Sequence, residues 1–324
     1  MVIFDCGEKS TILTIDWNLE EYATLICHSK DIDRALLITM SEKQNKVQAK
    51  SFGQTIATLA LSKQFYWFVG HVLEIIFFIL NMISSFFSRS AKYYNCALVA
   101  VLFTYGIVIK QIHFKNSGIF GIGKVARDRE LRARLVRDDN VQYFLLALVF
   151  LLSSGTIGGV AGGLYSFTIF SIFHVLTYFQ TNLLGSMPLN KLQQQNWNAK
   201  INHFTSTYNQ QALLMAANAE FLLLSGFVFT IPLMFVQIFR IPLFVVVNTS
   251  VFAAVVVFLK LRYISNRYTQ EIVSQWDMKI NQVLLSGKLP SSLSEYYNIR
   301  LKGLIQKLTD PIQLPAVASS KKSN

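Results

Sequence analysis

The 38 residues from Gln142 to Phe179 carry no Asp, Glu, Lys or Arg. As one helix they would reach about 57 Å, nearly twice the ~30 Å hydrocarbon thickness that roughly 20 helical residues cross. The run is therefore read as two membrane helices, divided by Gly155, Gly158, Gly159, Gly162 and Gly163, because glycine accepts a tight turn and lets backbones approach. Four further apolar runs accompany it: Phe65 to Phe87, Tyr94 to Ile109, Ala212 to Phe239 and Ile241 to Leu261. Arg240 and Pro242 mark the turn between the last two, where a charge and a missing backbone donor coincide. With 52% hydrophobic residues and 26 Phe in 324, the chain reads as an all-α polytopic membrane protein of about six hydrophobic helices in three hairpins, followed by C-terminal amphipathic helices.

Charge supports that count. Of 30 Lys and Arg, 27 fall in segments on one side of a six-span arrangement, and Arg89, Lys92 and Arg240 fall on the other. The positive-inside rule then places both termini in the cytosol. The net charge of +12 points to anionic lipid head groups rather than direct nucleic-acid binding.

The organisation expected is a polar N-terminal extension (1–63), a membrane domain (64–261), an amphipathic helical domain (262–312) and a disordered end (313–324). Met40 offers a second translation start that would leave 285 residues. A peptide from residues 1–39 in the native protein would disprove that start. The acidic N-terminus lacks a signal-peptide pattern, so targeting falls to an internal span.

Two segments could work at a membrane surface. The loop after the second span carries Arg127, Arg129, Arg132, Arg134 and Arg137 around a helix whose Leu131 and Leu135 share one side, although such arginines can also serve only to orient the chain. In the tail, a helical wheel from Leu261 sets Ile264, Tyr268, Ile272, Trp276, Ile280 and Val283 on one face. After Gly287 and Pro290 a second helix begins near Ser291 or Ser292, with Glu295 completing capping chemistry. Its apolar face is Leu293, Tyr296, Tyr297, Leu301, Leu304, Ile305 and Leu308; Lys302 lies on the polar side, and Arg300 and Lys307 lie at the boundary. The two helices either rest in the head-group layer or pack on each other as a small cytosolic bundle.

Ionisable groups within spans mark function by default, and His71, Glu74, His174 and Glu220 qualify. They suit an ion or small-molecule transporter, or else structural contacts between helices, with Glu220 bonding Asn218 or a neighbouring helix. His71 and Glu74 have a metal-like i, i+3 spacing but are only two ligands. Cys6, Cys27 and Cys96 form no CxxC pair, and no hydrolase elbow, HExxH or Walker loop occurs, so neither cofactor nor enzyme activity is expected.

Several ordered strings then carry a resemblance: Gln64-Phe-Tyr-Trp-Phe-Val-Gly-His71, Arg132-Ala-Arg-Leu-Val-Arg-Asp-Asp139, Phe173-His-Val-Leu-Thr-Tyr178, Ala217-Asn-Ala-Glu-Phe-Leu222 and Lys260-Leu-Arg-Tyr-Ile-Ser265. From about residue 60 to 312 the chain resembles the transmembrane protein 33 and fungal pore-membrane nucleoporin family. Residues 1–39 fall outside it, and the Gln-rich Leu192–Asn198 reads as a loop elaboration. The resemblance implies a protein of the endoplasmic reticulum and nuclear envelope, linked to nuclear pore complexes and tubular reticulum shape. It also implies nucleoporins, reticulon-type membrane shapers and a nuclear import receptor as partners, with the tail helices (264–284 and 292–308) binding curved membrane.

Overall fold

A computed structural model describes residues 51–87, 91–115, 125, 128–286 and 290–315. The expectations for residues 1–39 and for Arg127 lie outside them. Every regular element among the described residues is helical. A short α1 (Phe52–Leu59) begins inside the stretch read as a polar extension, closed by a reciprocal capping box between Ser51 and Gln54.

The apolar helices follow: α2 (Lys63–Ser85), α3 (Lys92–His113), then the basic α4 (Arg129–Arg137), α5 (Asp139–Ile157), α6 (Tyr165–Tyr178), α7 (Lys191–Gln237) and α8 (Pro242–Ser265). Of these, α2, α3, α5, α7 and α8 are long and apolar enough to cross a membrane. The second run proves longer than its apolar stretch, and the last extends four residues past Leu261. The Gln-rich 192–198 segment is not a loop. It forms the first turns of α7, held by an Asn190–Gln193 capping box and by Gln194 donating to the carbonyls of Gly185, Met187 and Leu189.

The six apolar helices close a ring in the order α2, α3, α5, α8, α7, α6 and back to α2. Inside it, Leu98, Val101 and Tyr105 of α3 meet Tyr143, Ala147 and Phe150 of α5, Phe167 of α6, Phe227 of α7 and Val255 and Phe258 of α8. Lipid tails are as apolar as these side chains, so the packing rests on close fit. Fully buried Ala97 and Ala147 permit that approach.

The glycine cluster divides the long run as its sequence implies. Gly158 and Gly162 both adopt φ +77°, a left-handed conformation that costs glycine little and other residues more. The turn folds inward rather than extending the hairpin. Tyr165 meets the Phe78 ring at 5.9 Å, and a Cβ placed on Gly163 would lie 3.1 Å from Phe150. Phe78 and Phe150 stand seven residues before the ends of α2 and α5, so α6 starts about 10 Å short of those two ends. Of the six apolar helices, α6 is thus the shallow one. It continues through a wide π turn (Phe179–Leu183) and a tight 3-10 turn (Leu184–Ser186).

Candidate membrane-surface site and its buried polar anchors

A charged layer lies where α5 begins and α8 ends. Asp138 caps α5 through Asn140 N–H (2.7 Å), and its other oxygen meets His113 Nε2 at 2.6 Å, joining α3 to α5. Burial pushes the Asp138 carboxyl up, but the bonds from His113 and Asn140 outweigh it and hold it below the ordinary range. Beside it, Arg262 is 4% exposed, pairs with Asp139 at 2.6 Å and lies 3.8 Å from Glu220. The Tyr143 hydroxyl donates to Glu220, and the guanidinium sits over the Tyr143 ring. Glu220 of α7 therefore bonds a neighbouring helix, one of the two partners its sequence suggested. Asn218, the other, accepts instead from Trp276 Nε1 at 2.9 Å.

The remaining intramembrane groups gather on a different interface, between α2 and α6. The His71 ring nitrogen Nδ1 lies 2.7 Å from Ser171 Oγ, and Glu74 accepts from Thr168 at 2.7 Å. His174 stacks obliquely on His71 at 4.8 Å, and Trp67 contacts both rings. His71, Glu74 and His174 are thus brought together, while Glu220 belongs to the charged layer. Among the described residues no group of three His, Cys, Asp or Glu could hold a metal ion.

On the same side as Arg262 lies α4. Asp128 accepts from Glu130 and Leu131 N–H, and Ala133 is buried. Arg129, Arg132, Arg134 and Arg137 stay exposed. Arg134 pairs with Glu130 at 2.6 Å, and Arg137 donates to the Pro315 carbonyl at 2.8 Å, which brings the end of the described chain against the basic helix.

The tail departs through α9 (Arg267–Leu284), capped by Asn266. Its expected apolar face divides. Ile272 is buried, Trp276 stacks on Phe221 of α7 at 5.6 Å, Ile280 is half-buried and Val283 remains exposed. We expect Trp276→Ala to cost about 2 kcal/mol through the lost stack and hydrogen bond, read as faster amide exchange along α9.

After Pro290 come α10 (Ser291–Glu295), a π turn (Tyr296–Leu301) and α11 (Lys302–Thr309). The serine cap is not made. Pro290 itself is the N-cap, with no side-chain cap bond, and its carbonyl accepts from Leu293 N–H. The π turn, with more residues per turn than an α-helix, resets the wheel on which the apolar face was drawn. Tyr297 turns to donate to Asp277 of α9 at 2.8 Å, Lys302 bridges Asp277 at 2.7 Å, and Leu301 is half-buried. Ile299 joins Leu293, Tyr296, Leu304, Ile305 and Leu308 in an apolar ridge 43–67% exposed, with exposed Arg300 and Lys307 on the same helical rod. No π turn is visible in a hydropathy pattern, so Ile299 and the inward turn of Tyr297 were missed.

The Lys302 hydrogen bond holds the Asp277 carboxyl below its usual range against a smaller opposing effect of burial, while burial and Asp277 push the Tyr297 hydroxyl up to about 12. A depressed carboxyl contributes stability above its unfolded value of about 4 and loses it as pH falls further. Docking of α11 on α9 is expected to hold between about pH 5 and 8 and loosen below about pH 4, followed by exchange of the 302–309 amides.

The family model described as Transmembrane protein 33/Nucleoporin POM33 matches residues 44–311. A Saccharomyces cerevisiae relative, "Pore and endoplasmic reticulum protein of 33 kDa", is 34% identical over 269 residues, covering 80% of this chain and 94% of its own length. "Pore membrane protein of 33 kDa" of the same yeast is 26% identical, covering 79% and 88%, and "Nucleoporin POM33" of Chaetomium thermophilum is 25% identical, covering 76% and 86%. No solved structure matches the chain.

Proposed function

The chain belongs to the Transmembrane protein 33/Nucleoporin POM33 family, and from that premise we propose that it is a non-enzymatic organiser of curved membrane in the endoplasmic reticulum and nuclear envelope. In this reading it contributes to the assembly or distribution of nuclear pore complexes and to tubular reticulum shape. Both termini face the cytosol. The relatives' printed names, which speak of pore, pore membrane and endoplasmic reticulum, support the setting.

The observation that carries the mechanism is the ridge of Leu293, Tyr296, Ile299, Leu304, Ile305 and Leu308 with Arg300 and Lys307 beside it. It stands on the same side as the exposed arginines of α4. A shallow insertion of apolar side chains with cations at head-group level suits a convex, anionic leaflet. Anionic lipid is the first partner. Nucleoporins, reticulon-type shapers and an import receptor are partners proposed from kinship. Transport through His71, Glu74, His174 and Glu220 is the less favoured reading, because His71, Glu74 and Glu220 each bond across a helix interface.

The test reconstitutes the full chain into anionic liposomes and compares it with Leu304→Asp/Leu308→Asp. The wild type is expected to shift vesicles toward narrow and tubular forms. Each leucine removed from lipid forfeits about 1.5–3 kcal/mol, so the variant should lose ridge insertion more than about tenfold while still incorporating. Equal vesicle shapes from the two proteins would overturn the mechanism.

A further inference from the structure

The ends of the helices opposite the charged layer carry some of the most exposed aromatic residues among the described residues: Phe86 at 82%, Phe87 at 86% and Phe239 at 93%, with Ile238, Ile241 and Leu243 exposed beside Phe239. The third turn on that side, 158–164, holds only Gly, Val, Ala and Leu, and its Leu164 is buried. Arg240, exposed between Phe239 and Ile241, is the one charge in these two described turns, and a single cation among apolar residues suits head-group phosphate more than a hydrated loop.

Helix length says where these turns lie. Asp139, Arg262 and the His113–Asp138 pair fix one depth, since charges settle at the hydrocarbon boundary. From Asp139, α5 rises about 28 Å to Ile157, and α8 covers about 31 Å between Arg262 and Pro242. The hydrocarbon is ~30 Å thick, but ~40–45 Å separates water from water across the head groups. The helices therefore span the acyl region and stop before the far aqueous phase.

We propose that Phe86, Phe87 and Phe239 anchor the far ends of the hairpins at the acyl/head-group boundary of the far leaflet, with phospholipid as their partner. The described turns on that side then stay within the far head-group layer, with the exposed Arg240 at phosphate level, while the near side carries α4, the start of α7 and the whole tail. The shallow α6 adds to this asymmetry, because fewer helices cross the far third of the bilayer than the near third. This inference rests on the membrane reading above but not on the tail ridge.

The test uses the full chain with Cys6, Cys27 and Cys96 replaced by alanine and single cysteines at Phe87→Cys, Phe239→Cys or, as a water-facing control, Gln193→Cys. In permeabilised proteoliposomes, a membrane-impermeant maleimide is expected to modify the two phenylalanine positions at least about tenfold more slowly than the control. An attached environment-sensitive dye should be quenched more by a lipid spin-labelled near its glycerol than by aqueous iodide. Labelling of either position at the control's rate, or iodide-dominated quenching, would overturn the proposal. Such a failure leaves the vesicle-shape result for Leu304→Asp/Leu308→Asp standing, and loss of that result leaves the depth measurement standing.

Discussion

Replacing Arg262 by leucine is expected to cost about 3–5 kcal/mol of membrane-domain stability, because it strands the Glu220 carboxylate at 1% exposure without its counter-charge, the Tyr143 hydroxyl supplying a hydrogen bond but no cation. Asp139, the other acid facing Arg262, is 40% exposed and can rehydrate, so Glu220 dominates the penalty. The diagnostic is therefore the double variant. Arg262→Leu/Glu220→Leu removes both buried charges and should be the more stable of the two by about 2 kcal/mol or more, since replacing a whole buried pair by apolar groups is often near neutral. Unfolding in mixed micelles provides the measurement. An Arg262→Leu single variant within about 1 kcal/mol of wild type would show that the layer is hydrated and weak.

Gly70→Leu should be the next most damaging change, costing about 3 kcal/mol through overpacking. Even a bare Cβ at Gly70 would approach Thr104 Cγ2 to 2.4 Å and Phe103 Cδ1 to 3.2 Å. Thr104 cannot easily turn away, because it is 1% exposed, branched at Cβ and donates its hydroxyl to the Val101 carbonyl. The overlap must separate α2 from α3, and α2 also carries His71 and Glu74 to their α6 partners. Gly70→Ala gives the milder case, and Thr104→Ser, which deletes the offending methyl but keeps the hydroxyl, should restore much of its loss. If Gly70→Ala were stabilising, the gain of about 1 kcal/mol in helix propensity would have outweighed the contact.

The two predictions act on the interfaces that give α7 and α2 their places in the ring. The charged layer ties α5, α7 and α8 at one depth, and the Gly70 contact draws α2 against α3. The tail borrows the first of these. Because Trp276 rests on Asn218 and Phe221, two and one residues from Glu220, a disturbance of the layer should also loosen the base of α9.

Much of this fold is legible in the chain itself, for a local reason. Length and hydrophobicity decide whether a segment crosses a bilayer, and the charge-free run, the left-handed glycines and the Arg240–Pro242 turn act over a few residues each. The all-α polytopic class, the hairpin turns and the existence of the tail helices follow from these. The ordered strings from Gln64 to Ser265 carry the family as well, and the match over residues 44–311 agrees.

What only the tertiary structure decided depends on residues far apart in sequence or on small changes of helical phase. Tyr143 and Glu220 are 77 positions apart and His71 and Ser171 are 100, so no spacing rule joins them. The α6 helix is apolar enough to have been counted as a span. Its shallow start is set by the packing of Gly163 on Phe150 and Tyr165 on Phe78. In the tail, one π turn redirects Tyr297 and Lys302 to Asp277 and leaves Ile299, Leu304 and Leu308 outward. Composition and periodicity determined that this chain enters a membrane and carries amphipathic helices beside it. The ring of contacts determined which polar groups meet and which apolar face is left for lipid, because pairing across helices depends on depth and rotation that one helix alone does not specify.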